Sequence, residues 1–209
     1  TAIEIMPGAV NWMTAGKGVV HSERTPEYLR QKDKFLHGLQ IWVALPKELE
    51  FMDPEFHHIE AKDIPEWEED TVHYKLIAGD LFGHKSPVPV YSKLYMIEIK
   101  TGDVGKIIDF KSQLFGESGL YILNGEIESG GFTYGNKQIL ITLDAHLCSF
   151  EMKPNTTVYI FGGEPFPEER FIYWNFVATA KETIEEAKVK WQNHQFDKVP
   201  GDDGYVPLR

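Results

Sequence analysis

The sequence predicts an all-β fold of sandwich or jelly-roll type, closed by one C-terminal α-helix. Three observations carry this. Short apolar or alternating runs recur along the chain, with Gly, Pro, Asn and Asp between them. The turn signals lie close enough together for antiparallel strands. One stretch alone, near the C-terminus, has helical spacing.

Residues 19–23 read as a strand behind Thr14-Ala15-Gly16-Lys17-Gly18. Further strands are expected at 36–45 (LHGLQIWVAL), 72–79, 92–100, 119–128, 137–143, 156–163 and 170–178. Asn124-Gly125 stands between two strand-like runs, a hairpin signal. In 179–194, Thr179 with Glu182 three residues on forms a capping box. Ile184, Ala187, Lys188 and Trp191 then follow at helical spacing, giving a helix with one apolar face. The tail DKVPGDDGYVPLR is polar, turn-rich and irregular. An acidic stretch at 60–71 holds Pro65 and lacks an apolar period, so it marks a boundary between 1–65 and 66–209. The chain opens without Met, straight into strand-like Ile3, Ile5 and Met6. The expectation is a fragment.

Composition narrows the function. Apolar content of 42% with 13% aromatics supports a packed core rather than disorder. Against 21 basic residues stand 32 acidic ones, a net charge of −11. Direct nucleic-acid binding rests on Lys and Arg meeting phosphates, so it is excluded as the main role. The single cysteine, Cys148, rules out an internal disulfide and a cysteine-rich metal site. It fits a reducing compartment, and a cytoplasmic location is expected. No apolar run reaches the roughly 18 residues of a membrane span, and no signal peptide is visible.

Candidate chemistry concentrates in GVVHSERTPE (18–27). On a strand, His21 and Glu23 project from one face and Ser22 from the other. An imidazole beside a carboxylate can hold a metal, but two ligands do not make a site. On spacing alone, a polar pair on an exposed strand face is the better reading. His37 shares a face with Leu39 and Ile41; it is either a pocket residue that orients a ligand or a satisfied core histidine. His57 and His58 are adjacent, hence poor co-ligands, and read as solvated loop. His73, His84, His146 and His194 are isolated, and no His-x-His occurs. Glu126 and Glu128 read as a solvated strand face and Cys148 as buried filler. The aromatic run 170–176 reads as barrel core beneath the helix.

Two long stretches, PGAVNWMTAGKGVVHSE (7–23) and LHGLQIWVALP (36–46), resemble the second metal-binding half of the first cupin domain in the pirin family. GGEPFPEERFIYWNFVATAKETIEEAKVKWQNHQF (162–196) and the tail VPGDDGYVPL are similar to the C-terminal domain and closing helix of bacterial pirin-like proteins. The resemblance implies a double cupin of jelly-roll β-barrels, the first barrel incomplete. Residues 1–65 would be the C-terminal part of the metal-binding cupin. Residues 66–209 would be the second cupin with its helix, about 180–194, and tail.

Family members bind one metal, usually iron, in the N-terminal cupin. Some are similar to quercetin 2,3-dioxygenases; others are transcription cofactors that bind protein partners. Carried over, His21 and Glu23 match the third and fourth ligands. The family's first two ligands, a His-x-His pair further upstream, have no counterpart in the sequence. The resemblance therefore implies Fe(II), or another divalent metal, and a small aromatic or flavonol-like substrate. A chelating substrate suits open positions on such a metal. With half a site, the chain by itself is expected to be metal-poor.

Overall fold

A computed structural model describes residues 1–110, 113–142 and 149–208. In chain order the strands are β1 (Val10–Thr14), β2 (Glu55–Ile59), β3 (Glu66–Glu69), β4 (Val72–Leu81) and β5 (His84–Lys85). They continue as β6 (Leu94–Thr101), β7 (Lys106–Asp109), β8 (Glu117–Asn124), β9 (Ile127–Ser129) and β10 (Phe132–Tyr134). The last are β11 (Ile139–Thr142), β12 (Ser149–Met152), β13 (Thr157–Gly163), β14 (Phe171–Tyr173) and β15 (Phe176–Ala178). A helix, α1 (Lys181–Gln192), follows them. The chain divides into two compact units.

One unit holds residues 5–12 and 57–165. Its larger sheet has seven strands in the order β11-β8-β13-β6-β4-β3, with β5 paired to β4. Its smaller sheet has four, in the order β10-β9-β12-β7. Every pairing is antiparallel. Alternation along the strands sends one set of side chains inward. Leu76, Ile97, Ile99, Ile122 and Ile160 of the large sheet meet Ile127 and Met152 of the small one, all at 0% exposure. Burying each such side chain contributes about 1.5–3 kcal/mol. This is the jelly-roll barrel the sequence predicts, and side chains fill its interior.

The opposite face of the large sheet carries a ladder of polar side chains. Glu66 pairs with Lys75 at 2.7 Å, and Lys100 with Glu98 at 2.6 Å. The Tyr159 hydroxyl donates to Glu98, and burial together with that carboxylate pushes the phenol pKa up. A bulge interrupts β4 where its register with β6 slips between Leu76 and Ala78. Ser86 Oγ donates to the Ile77 carbonyl there at 2.6 Å. Gly79 completes the bulge at φ +84°, where a Cβ would stand 2.0 Å from the Leu94 carbonyl oxygen.

The acidic stretch 60–71 is itself folded. It holds a 3-10 turn at Ala61–Asp63 and the edge strand β3. His57 and His58 belong to β2 rather than to a loop, and His58 Nδ1 lies 2.7 Å from Asn11 Oδ1. Asn124-Gly125 does not close a hairpin. β8 lies in the large sheet and β9 in the small one, so the pair turns the chain from one sheet to the other. Asn124 Nδ2 donates to the Asn155 carbonyl at 2.9 Å, and Gly125, at φ +84°, leaves no room for a Cβ beside Thr156. Side-chain capture, rather than cross-strand pairing, decides this corner.

The other unit holds residues 1–4, 13–56 and 166–209, so the helix and tail fall with 13–56. Regular structure is sparse there. The expected strands at 19–23 and 36–45 are absent. Among the described residues no strand pairs with them, and an unpaired strand leaves its backbone N–H and C=O groups without ladder partners. The alternation of 36–45 faces no apolar layer either: Leu36 is 89% and Trp42 52% exposed. The expected strand 170–178 is a hairpin of β14 and β15, turning at Trp174 with φ +52°. Helix α1 begins at Lys181, but the capping box does not form. Glu50 takes Thr179 instead, accepting from its N–H at 2.6 Å and its hydroxyl at 2.7 Å. An aromatic cluster ties hairpin, helix and tail: Trp174 and Trp191 at 5.0 Å, Phe176 stacked near Phe196, and Trp191 stacked on Tyr205 at 5.4 Å.

Candidate metal-ligating segment

The segment that carries His21 and Glu23 starts from a tight turn. Lys17 N–H donates to the Met52 carbonyl at 2.9 Å, and Gly16, at φ +48°, brings its backbone against that carbonyl. Lys17 Nζ also pairs with Asp53. Gly18, at φ +119°, lies against the Phe196 ring, where a Cβ would sit 2.8 Å from Cε1. Residues 19–26 then belong to no helix or sheet. Their direction is set by side chains.

Arg24 forks onto Asp202, Nε to Oδ2 at 2.7 Å and Nη2 to Oδ1 at 3.0 Å. Gly204 N–H donates to Oδ1 of the same carboxylate at 2.9 Å, and the Ser22 hydroxyl stands near it. Arg24 first, then Gly204 and Ser22, hold the Asp202 carboxyl well below the usual carboxylate range. Residues 22 and 24 thus both neighbour one carboxylate. No strand forms at 19–23, so strand alternation does not set the directions of His21 and Glu23.

Both His21 and Glu23 are exposed. Glu23 lines an open cleft of about 480 Å³ with Arg24, Thr25, Arg30 and Lys34. His37 is exposed in the irregular 36–45 stretch, its ring 6.1 Å from that of Phe35; the structure does not bring it to a pocket with the pair. The remaining histidines are engaged elsewhere. His58 meets Asn11, and His73 stands 3.6 Å from Glu66. His84 stacks on Trp67 at 4.1 Å, and His194 packs on Tyr205 at 4.3 Å. His146 and Cys148 lie outside the described residues. Glu128 pairs with Lys153 at 2.9 Å, as a solvated strand residue would.

Among the described residues no three His, Cys, Asp or Glu side chains stand together to hold a metal ion. The donor chemistry of His21 and Glu23 fits a divalent metal as two of its ligands and no more. Asp202 was not foreseen in the sequence. Its one local signal is the turn former Asp-Asp-Gly in 202–204; a partner 178 residues away leaves none. The same holds for the contact of Glu50 with Thr179, 129 residues apart. No helix is long and apolar enough to cross a membrane.

Residues 1–43 match the Pirin family model, and residues 104–197 match the Pirin C-terminal cupin domain. A pirin-like protein of Caulobacter vibrioides is 38% identical over 208 residues, covering 98% of this chain and 70% of that protein. Rat pirin is 26% identical, over 90% of this chain and 64% of its own length. A crystal structure of quercetin 2,3-dioxygenase from Acinetobacter baumannii superposes with a TM-score of 0.85 at 30% identity, covering 98% of this chain and 68% of that one. The chain thus spans about two thirds of the length of these relatives. An all-β cupin architecture with a C-terminal helix, two family blocks in the expected order and a relative matched over nearly every residue lead to one conclusion: the chain belongs to the pirin family.

Proposed function

We propose that His21 and Glu23 are two ligands of a cupin metal site, and that the protein is a dioxygenase of the quercetin 2,3-dioxygenase type. The observation that supports this is the match of residues 1–43, which hold both side chains, to the Pirin family model, beside the Arg24–Asp202 contact that holds the residue next to Glu23. On this reading residues 1–65 belong to the metal-binding cupin and 66–209 to the second one. Fe(II) is the metal proposed; bound, it would supply a redox-active Lewis acid. His21 would offer a ring nitrogen and Glu23 a carboxylate oxygen. Arg30 and Lys34, beside Glu23 in the cleft, favour a substrate whose hydroxyl is ionised, as in a flavonol. The A. baumannii neighbour's name supports that substrate class.

Two donors bind weakly, so the test must tolerate weak binding. Mn(II) added to the labelled protein should broaden NMR signals of residues 20–24 first. His21→Ala and Glu23→Gln should each remove that focus. Broadening that is indifferent to both substitutions refutes the assignment. Oxygen uptake with Fe(II) and quercetin then reads the activity.

A second reading is a metal-dependent redox sensor that docks on a protein partner. The exposure of Phe35 at 91% and Leu36 at 89% favours it. Such a sensor would consume no oxygen with quercetin and would change partner affinity between Fe(II) and Fe(III).

A further inference from the structure

We infer that the C-terminal tail is a clasp that positions the His21–Glu23 pair, with Asp202 as the positioning residue. The inference rests on the proposed reading of that pair as metal ligands.

Residues 19–26 lie in no sheet, so no backbone ladder holds them in register. A donor pair on such a segment would sample many directions, and ordering it on metal binding would cost conformational entropy. Asp202 removes much of that freedom beforehand. It holds Arg24, the residue after Glu23, through two hydrogen bonds, and it stands near the hydroxyl of Ser22, between His21 and Glu23. A bidentate guanidinium–carboxylate contact fixes orientation as well as distance.

The tail is anchored on both sides of Asp202. Before it, Phe196 packs on Gly18 at the start of the same segment. After it, Tyr205 stacks on Trp191, and Trp191 Nε1 donates to the Val206 carbonyl at 2.8 Å. The clasp therefore closes on the α1 face that carries Trp191. Partners that orient ligands typically change metal affinity about 10–100-fold when removed.

Asp202→Ala removes the clasp contact, Arg24→Gln removes it from the other end, and Asp202→Glu keeps the charge. The readouts are the heteronuclear NOE of residues 20–24 and the Mn(II) concentration that broadens them, with signals of 72–163 as the fold control. Asp202→Ala and Arg24→Gln should lower the NOE and raise the required Mn(II) about tenfold. Asp202→Glu should recover much of both. Parental NOE and Mn(II) response in Asp202→Ala and Arg24→Gln overturn the inference. A lowered NOE, in a protein whose Mn(II) broadening ignores His21→Ala, upholds the clasp and fails the ligand reading instead.

Discussion

The barrel unit and the unit that carries the donor pair solve the same problem in opposite ways. In residues 57–165 each long strand has a neighbour on at least one edge, and backbone pairing fixes which side chains face inward. In residues 19–26 and 36–45 strand-like sequence has no paired neighbour among the described residues, and side chains do the fixing. Lys17, Arg24, Glu50 and Arg170 each reach across sequence: to Asp53, Asp202, Thr179 and the Leu45 carbonyl respectively. Strand propensity is thus a conditional property. It becomes structure only where a partner strand is available.

The contrast is broken most directly in the core. Ile97→Ala or Ile160→Ala removes a fully buried side chain from a central strand and should cost about 2–5 kcal/mol in urea unfolding. Phe35→Ala, at a residue 91% exposed, should stay within about 0.5 kcal/mol. An equal loss at Phe35 would mean that 36–45 is buried in solution, and the contrast would fail.

Next is Glu50→Ala. It deletes the acceptor for both Thr179 donors, a charged contact worth about 1.5–3 kcal/mol. Amide exchange should quicken at the start of α1 and leave the barrel strands unaffected. Gly18→Ala should cost about 1 kcal/mol or more, because its φ of +119° strains a side chain and the new Cβ meets Phe196. Shifted Phe196 ring resonances would report it.

The smallest effect concerns pH. Burial, with Glu69 and Asp70 nearby, pushes the Tyr74 phenol up to about 12, so the folded barrel favours its neutral form. That stability is complete below about pH 10 and is lost as pH rises toward about 12. Tyr74→Phe should flatten the alkaline fall in melting temperature. An identical fall in the variant would assign it to other groups.

What the sequence revealed follows the same division. The long strands β4, β6, β8 and β13 were legible because burial on one face imposes period two, and their partners are present. The donor pair was read from its spacing on an expected strand at 19–23, and that strand does not form. The misses have one physical cause. Asn124-Gly125 reads locally as a hairpin, yet Asn155 and Thr156 capture it from 30 residues away or more. Thr179 and Glu182 read locally as a capping box, yet Glu50 reaches Thr179 across 129 residues. Local patterns do not encode such long-range side-chain competitors.

One feature of the barrel doubles as an optical probe. Trp67 on the edge strand β3 lies between Tyr74, stacked at 5.2 Å, and His84, stacked at 4.1 Å. An indole held between two rings has emission and near-ultraviolet dichroism tuned by both, and it loses that signature when β3 detaches. Trp174 and Trp191, 5.0 Å apart, form a separate coupled pair on the hairpin and helix. Fluorescence of single-tryptophan variants could therefore time the opening of each unit without any added label.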